Sequence, residues 1–228
     1  MKPHLTWFAL SSTLLCVLII VAPSQATPIP KGYQPKAGDV VFQSFPPNPL
    51  TVAIEGCTKS PLSHCGLVAE KRTKAGSSKQ TQWVVIEAVG PVQETPLAQW
   101  IARGRNQHLA VYQFKGDLAA RVPEILAAAR RYSGRPYDAR FRWDDEKIYC
   151  SELVHKAIRD ATGQRLGKME KLGSLDWKPH EATIRTLEGA APPLDREMVT
   201  PVSLARDPKL TQVFLSGYTI TAGEVTDP

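Results

Sequence analysis

The chain has 228 residues, of which 43% are hydrophobic and 22% charged, and it carries a formal net charge of +6 at pH 7. This composition excludes a disordered chain and allows one domain of ordinary size with a substantial core. The positive charge suits an anionic neighbourhood such as cell-wall polymer or lipid headgroups. Zinc-ligand spacing, an aromatic RNA-binding motif and a long basic helix are all missing from the sequence, so we expect no nucleic-acid binding.

Residues 1–26 have the features of a secretory signal peptide. The basic residue Lys2 precedes an apolar run over residues 5–21, and small residues precede a cut after Ala26. An uncleaved anchor is the alternative, because such a run is just long enough to span a thin bilayer. Cleavage predicts a periplasmic or secreted protein of residues 27–228 that does not span the membrane.

Three cysteines follow this leader: Cys57, Cys65 and Cys150. An exported compartment permits disulfides, and an odd number leaves one thiol over. The simplest arrangement pairs Cys57 with Cys65 and leaves Cys150 free. Alternatively, Cys57 and Cys65 are both small core residues.

The first part of the exported chain predicts strands and one short helix. Val40–Gln43 has the composition of a buried strand, and apolar residues at helical spacing from Leu50 predict a helix. His64–Ala69 and Trp83–Val89 predict two further strands. The polar stretch Lys71–Gln80 joins them as a hairpin tip, so the two strands should be antiparallel.

The next part alternates strands and helices. Val92–Thr95 predicts a short strand, and Pro96 opens a helix that continues to about Ala102. Leu109–Phe114 alternates strongly enough to predict another strand. Asp117 is expected to cap a long helix over Leu118–Tyr132.

Residues 134–163 contain the candidate nucleophile, Cys150. The segment before residue 149 is charged and irregular. Residues 149–152 predict the start of a helix, with Ser151 as a capping-type residue. Gly163 is expected to end that helix. A thiol at a helix start favours the thiolate, because the positive end of the helix dipole lies behind it. The alternative is a buried structural cysteine.

The remainder of the chain is less regular. Residues 165–193 are rich in glycine, proline and charge and predict no definite element. Thr200–Ala205 predicts a capped helical turn, and Thr211–Leu215 predicts a last strand. No repeat and no domain boundary interrupt residues 27–228. The sequence therefore predicts one α+β domain, with an antiparallel sheet and a few helices packed against it.

His64 is the best-placed candidate for a base that serves Cys150. It begins a predicted strand directly after a loop, so its imidazole should lie at the edge of the sheet. His155 lies about 140° round the helix from Cys150. His108 and His180 lie in polar loop sequence. The alternative for His64 is a hydrogen-bonded structural histidine.

Glu87 is a carboxylate inside a run of Val, Ile and Ala that otherwise resembles a buried strand. Burying a charge is costly unless the charge is paired or hydrogen-bonded. The predicted hairpin places this strand beside that of His64. A carboxylate that accepts the imidazole N–H is the orienting third member of a Cys–His pair. Alternatively, Glu87 lies on the solvent face of an edge strand.

Three motifs in this order, SHCGLV around His64, VIEAV around Glu87 and YCSELVHKA around Cys150, resemble the permuted papain-like amidases of the YaeF/YiiX type. GDVVFQ, GRPYDARF and TPVSLARDP add to the resemblance, which covers most of residues 38–215. That group is related to the NlpC-type cell-wall peptidases, with the chain rearranged so that the histidine strand precedes the cysteine helix. The resemblance implies a circularly permuted papain-like fold.

The resemblance also implies a role for each candidate residue. Cys150 would be the nucleophile, His64 the general base and Glu87 the residue that orients His64. Tyr137, in a glycine-x-proline-tyrosine pattern, would donate its hydroxyl beside the developing oxyanion, or would be an aromatic plug under the cysteine helix. Cys65 departs from the family pattern, which more often has an aliphatic residue there.

The function implied by the resemblance is that of a cysteine amidase or peptidase, which forms an acyl-enzyme and cleaves amide bonds in cell-envelope peptides. A thiol acyltransferase or lipase acting on lipid acyl groups is one alternative. A non-catalytic envelope-binding module on the same fold is another. We expect no cofactor and no metal, because the acidic triplet at residues 144–146 resembles a solvated loop.

Overall fold

The structure is a computed structural model that describes residues 29–75, 78–221 and 223–227. The predicted signal peptide, residues 1–26 with its cut after Ala26, lies outside the described residues. Within the described part of the chain, no helix is both long enough and apolar enough to cross a membrane.

A six-stranded antiparallel sheet forms the centre of the fold, with helices packed against it. The strands are β1 (Val40–Gln43), β2 (His64–Ala75), β3 (Ser78–Ala88), β4 (Val92–Pro96), β5 (Leu109–Phe114), β6 (Met169–Lys171), β7 (Glu197–Val199), β8 (Leu210–Ser216), β9 (Thr219–Thr221) and β10 (Glu224–Thr226). The helices are α1 (Pro49–Thr58), α2 (Leu97–Arg103), α3 (Asp117–Ala120), α4 (Val122–Arg130), α5 (Cys150–Thr162), α6 (Glu181–Glu188) and α7 (Pro201–Ala205). The large sheet has the order β4-β3-β2-β1-β5-β8, and β6-β7 and β9-β10 form two small sheets. The α+β class with an antiparallel sheet is confirmed.

The strand β1 lies in the middle of the sheet because its side chains are apolar on both faces. Val40 and Phe42 belong to the larger core, which also contains Leu153 of α5. Val41 points the other way, into a second core that contains Trp100 of α2. All of these side chains are buried. A continuous apolar run is what a strand covered on both faces requires.

The pairing of β2 with β3 brings two of the predicted site residues together. These strands are antiparallel, with Leu67 opposite Ile86. Continuing that register places Glu87 near Gly66, so that the carboxylate lies at the same end of the sheet as His64, the first residue of β2.

Both of these strands are longer than the sequence predicts. β2 continues to Ala75 and β3 begins at Ser78, so most of the hairpin tip predicted over Lys71–Gln80 is paired backbone. Polar side chains do not prevent backbone hydrogen bonds, and a polar strand therefore escapes a prediction based on apolar alternation.

The long helix predicted over Leu118–Tyr132 is wrong, because the chain forms α3 and α4 instead. The two helices are separated at Arg121, which has φ −104° and ψ 13°. Pro123 follows in the first turn of α4, the position that a residue without an N–H group favours. Asp117, the predicted cap, is the first residue of α3, and Gly116 precedes it.

Residues 165–193, for which the sequence predicts no definite element, build part of the wall around the start of α5. β6 pairs with β7, with Glu170 opposite Met198. Ile184 of α6 packs into the larger core. These strands have three residues each, too few to show a period in the sequence. The helical turn predicted at Thr200–Ala205 is present as α7.

We expect Gly66→Ala to destabilise the fold. A Cβ atom at this position would lie 2.4 Å from a methyl of Val85 and 2.8 Å from the carbonyl oxygen of Ile86, so β3 would have to move. Such overpacking costs about 1–3 kcal/mol, measurable as the free energy of unfolding in urea. Ser133→Ala is the control, because it introduces alanine at an exposed position and adds no atom. Equal stabilities of the two variants would contradict this prediction.

Candidate active site

Cys150 is the first residue of α5, and its sulfur therefore lies at the positive end of a helix dipole. The helix begins there because Tyr149 is extended, and the Glu152 carboxylate accepts a hydrogen bond from the Tyr149 N–H at 3.2 Å. Ser151 is not the cap that the sequence suggests. It is the second helical residue, and its hydroxyl donates to the carbonyl oxygen of Val199 at 2.8 Å.

His64 connects Cys150 to Glu87. The Nε2 atom of His64 lies 2.6 Å from Oε2 of Glu87, which leaves Nδ1 as the ring nitrogen that can serve the sulfur. His64 also lies close enough to Cys150 to lower the pKa of its thiol. Phe45 stacks on the imidazole with ring centroids 4.4 Å apart, and the ring of Trp100 is 5.9 Å away. These contacts fix the plane of the base.

Glu87 is fully buried, which excludes the alternative that it lies on the solvent face of the sheet. Besides His64, its carboxylate accepts hydrogen bonds from the Thr95 hydroxyl and from the guanidinium of Arg103, each at 2.5 Å. Burial alone would raise the pKa of Glu87. The hydrogen bond and positive charge of His64, followed by Arg103 and Thr95, lower it below the ordinary value.

The same contacts favour a thiolate–imidazolium pair. Burial lowers the pKa of His64, but hydrogen bonds and negative charge from Cys150 and Glu87 raise it to about 9. The pKa of Cys150 is held well below its ordinary value, first by a hydrogen bond from the Cys65 side chain and then, against burial, by His64. The pair can therefore exist over a wide range of pH.

Cys65 is a site residue that the sequence assigned to a different role. Hydrogen bonding from its thiol, and from its backbone N–H, lowers the pKa of Cys150. Burial and the negative charge of Cys150 raise the pKa of Cys65, so Cys65 stays a thiol and a hydrogen-bond donor. Two neighbouring cysteines thus differ in protonation because one lies at a helix start beside an imidazolium.

The predicted disulfide between Cys57 and Cys65 is not formed. Cys57, Cys65 and Cys150 are all free thiols in the structure. The reason is the direction of the side chains. Cys57 lies on α1 and lines a cleft, whereas Cys65 points from β2 to Cys150.

Tyr137 lies at the site, close enough for the charge of Cys150 to act on its hydroxyl. Burial raises its pKa well above the ordinary value, and the negative charge of Cys150 adds to the effect. Tyr137 therefore keeps its proton. A bridge between Tyr137 and Ile148 holds the loop that precedes Cys150.

The other described histidines have contacts away from the nucleophile. Nδ1 of His155 lies 2.6 Å from the carbonyl oxygen of Leu166. His108 pairs with Asp227, and the ring of His180 packs against Gly56. Their positions agree with the choice of His64 as the candidate base.

Two contributors, Thr95 and Arg103, are not apparent from the sequence. Thr95 lies near the end of β4 and Arg103 is the last residue of α2. Polar residues are very common at the ends of strands and helices, so neither position attracts attention. Only the packing of β4 and α2 around Glu87 distinguishes them. A narrow cleft of about 80 Å³ opens beside Cys150, between α1, α6 and β7.

Because Cys65 and Cys150 lie close enough to shift each other's pKa, we expect diamide to join the two sulfurs. The S–S bond forms as two electrons pass from the sulfurs to the reagent, which takes one proton from the Cys65 thiol and one from the His64 imidazolium or the solvent. Peptide mapping should find the Cys65–Cys150 link, and iodoacetamide should then no longer modify Cys150. Cys57→Ala should leave the link intact, and Cys65→Ala should abolish it. A Cys57–Cys65 link instead would contradict this arrangement.

Comparison with known proteins gives a family and two relatives. The family described as "Permuted papain-like amidase enzyme, YaeF/YiiX, C92 family" matches residues 34–214. The Escherichia coli K12 protein described as "Uncharacterized protein YiiX" is 34% identical over 203 residues, which cover 88% of this chain and 93% of that protein.

The second relative is a crystal structure described as that of "metalloprotein yiiX from Escherichia coli O157:H7, DUF1105". It is 35% identical, with a TM-score of 0.73, and the match covers 81% of this chain and 99% of the other. In this chain, no group of three or more His, Cys, Asp or Glu side chains within residues 29–75, 78–221 and 223–227 is arranged to hold a metal ion. Fold, residue order and family match agree, and the chain belongs to the permuted papain-like amidases of the YaeF/YiiX type.

Proposed function

We propose that this protein is an exported cysteine hydrolase that cleaves an amide bond through a Cys150–His64–Glu87 triad. The observation that carries the proposal is the position of His64, whose Nε2 atom lies 2.6 Å from the Glu87 carboxylate and which lies close enough to Cys150 to lower the pKa of that thiol, although the three residues are far apart in the chain. Membership of the amidase family supports a cysteine hydrolase in general.

The chemistry follows from the protonation states of the pair. The Cys150 thiolate attacks the carbonyl carbon, and the S–C bond forms as the carbonyl oxygen becomes negative. When that intermediate collapses, the C–N bond breaks and the His64 imidazolium gives its proton to the leaving amine. His64 then takes a proton from water, which attacks the thioester and releases the acid. Glu87 keeps the ring oriented and stabilises its positive charge.

Two donors are available for the negative oxygen. One is the backbone N–H of Cys150 at the free N-terminus of α5, where the helix leaves its first N–H groups unpaired. The other is the hydroxyl of Tyr137, whose raised pKa keeps it protonated beside the sulfur. In this proposal Tyr137 binds the oxyanion.

The proposed location is the cell envelope. The signal-peptide features of residues 1–26 support export with cleavage after Ala26. Cleavage removes Lys2 and lowers the net charge from +6 to +5, which still suits an anionic polymer or membrane surface. The proposed substrates are accordingly amides of envelope peptides.

A second candidate function, acyl transfer or lipid hydrolysis, is favoured by one observation. The cleft beside Cys150 is lined mainly by apolar side chains. The same acyl-enzyme would then pass its acyl group to an alcohol or amine, or would be formed from a lipid ester. Product analysis separates these functions, because an amidase releases an amine, a lipase releases an alcohol, and only a transferase makes a new acylated product when an acceptor is added.

We expect iodoacetamide at pH 6 to modify Cys150 rapidly and selectively. Few thiols with the ordinary pKa of about 8.5 are ionised at that pH, so a thiolate should react roughly tenfold faster or more. Mass spectrometry of the native protein gives the rate. His64→Ala should slow the reaction sharply, whereas His108→Ala should not. A native Cys150 that reacts no faster than a free thiol would indicate a non-catalytic module.

The dependence of kcat/KM on pH should have an alkaline limb near pH 9. His64 must be protonated to release the amine, and its pKa is raised to about 9, so activity falls as pH rises through that value. Because the pKa of Cys150 is lowered, its sulfur stays ionised at acidic pH. Because Cys150 and His64 interact, the apparent pKa values of the acidic and alkaline limbs are properties of the pair and not of either residue alone.

Glu87→Gln tests the origin of this limb. Removing the carboxylate charge should move the alkaline limb to lower pH by about one unit or more, because the imidazolium loses its partner. Glu94→Gln is the matched control, since Glu94 pairs with Arg130 and Lys71 away from His64. An unchanged limb in Glu87→Gln would remove Glu87 from the proposed triad.

A further inference from the structure

One oxygen of the Glu87 carboxylate is shared by two positive groups. Nε2 of His64 lies 2.6 Å from Oε2 of Glu87, and Nη2 of Arg103 lies 2.5 Å from the same atom. The other oxygen, Oε1, accepts a hydrogen bond from the Thr95 hydroxyl. The guanidinium therefore competes with the imidazole for the negative charge of Glu87, and it competes at the oxygen that faces the base.

Arg103 also contacts the aromatic ring that packs on the imidazole. Its guanidinium carbon lies 5.1 Å from the centre of the Phe45 ring, within the range of a cation–π interaction. Phe45 in turn stacks on His64 with ring centroids 4.4 Å apart. The contacts among Arg103, Phe45, His64 and Glu87 therefore form a closed circuit. Arg103 acts on the base through its carboxylate partner and through its stacking partner.

The short contact between His64 and Glu87 allows two positions for its proton. A proton on Nε2 of His64 leaves the carboxylate ionised, whereas a proton on Oε2 makes Glu87 a neutral acid. Burial favours neutral groups, and the two side chains are only 2% and 0% exposed. Arg103 beside Oε2 and the Thr95 hydroxyl at Oε1 oppose the transfer, because both stabilise the ionised carboxylate.

The position of this proton matters for the sulfur. When Nε2 keeps its proton, the ring takes the Cys150 proton on Nδ1 and becomes an imidazolium. If the Nε2 proton passed to Glu87, the ring beside the thiolate would be neutral. A neutral ring stabilises a thiolate less than an imidazolium does, because it has no charge to offer. The pair that attacks the substrate therefore requires the proton on His64.

We propose that Arg103 is a positioning residue of this site, which keeps the proton on Nε2 of His64 and holds the imidazole ring in its plane. This rests on the proposed function and adds how its base is held. Arg103 makes and breaks no bond, since a guanidinium keeps its protons in proteins. Its effect passes through Glu87 and Phe45.

The charges around His64 give this proposal a sign. The ionisable groups that face His64 and Glu87 are the thiols of Cys150 on α5 and Cys65 on β2, and the guanidinium of Arg103 on α2. Negative charge on Cys150 and Glu87 makes the imidazole bind its proton more tightly, whereas the positive charge of Arg103 makes it bind less tightly. Removing Arg103 and removing Glu87 should therefore move the titration of His64 in opposite directions.

Nuclear magnetic resonance of the histidine ring nitrogens locates the proton and follows its titration. The protein without its leader is labelled with ¹⁵N in histidine, and the His64 signals are those that disappear in His64→Ala. In the native protein at pH 7 both ring nitrogens should be protonated, with a titration near pH 9, the raised pKa of His64. In Arg103→Gln this titration should move up by about one unit. At pH 7 the Nε2 signal should then move toward that of an unprotonated nitrogen.

Three further variants separate charge from structure. Arg103→Lys keeps the positive charge and should keep the proton on Nε2 of His64. Thr95→Val removes only the donor to Oε1, so it should shift the titration in the same direction as Arg103→Gln by a smaller amount. It also tests the proposal if Arg103→Gln fails to fold. Arg121→Gln is the control, because it removes an exposed guanidinium that pairs with Glu124, and it should leave the titration unchanged.

The outcomes separate this proposal from the proposed function. A downward shift in Arg103→Gln, as expected for Glu87→Gln, would mean that Arg103 only holds the carboxylate against the ring, and would overturn the proposal. Two protonated ring nitrogens in Arg103→Gln at pH 7 would overturn it too. In both cases rapid modification of native Cys150 by iodoacetamide at pH 6 would leave the cysteine hydrolase intact. Slow modification of native Cys150 would contradict the hydrolase and with it the role of Arg103.

Discussion

The structure depends on one buried arrangement of charge, in which an imidazolium lies between a thiolate and a carboxylate. Isolated ions cost several kcal/mol each when they leave water, and removing one partner of a buried pair costs about 3–5 kcal/mol. Here His64 faces the anions of both Cys150 and Glu87, and Arg103 supplies a second positive charge. Thr95 and Cys65 add donors, so that few lone pairs of the anions are left without a partner.

This arrangement links the chemistry to the stability of the fold. The raised pKa of His64 contributes stability that is fully present below its ordinary value of 6.5 and is lost as pH rises through about 9. The lowered pKa of Glu87 contributes stability above its ordinary value of 4.5 that is lost as pH falls. Both contributions are therefore complete between pH 4.5 and 6.5.

Different elements of the fold position the different groups of the site. The sheet fixes His64 and Glu87, because the ladder between β2 and β3 sets their separation. The helix α5 brings the sulfur to them from the opposite core, with its dipole directed at the thiolate. Neither element forms the cleft alone. Its walls come from α1 and from α6 and β7, a part of the chain that contributes none of the three proposed triad residues.

The sequence by itself determined the class of fold and the candidates for the chemistry. Apolar runs located most of the large sheet, Gly163 marked the end of α5, and the order of three motifs indicated the family. Local pattern was enough here because a buried strand or an amphipathic helix must repeat apolar residues at its own period. The same reasoning predicted that the Glu87 carboxylate has a partner, since a charge inside an apolar run must be paired or hydrogen-bonded.

Only the tertiary structure decided which partners those residues have. Cys65 contacts Cys150 and not Cys57, and Thr95 and Arg103 converge on Glu87, because β-strand register and helix packing join residues that are distant in the chain. The break at Arg121 and the short pairing of β6 with β7 also lie below the length at which a sequence shows a period. Contacts between elements leave no pattern in the local sequence. The polarity of a residue is the same whichever element it packs against, so it does not identify the partner.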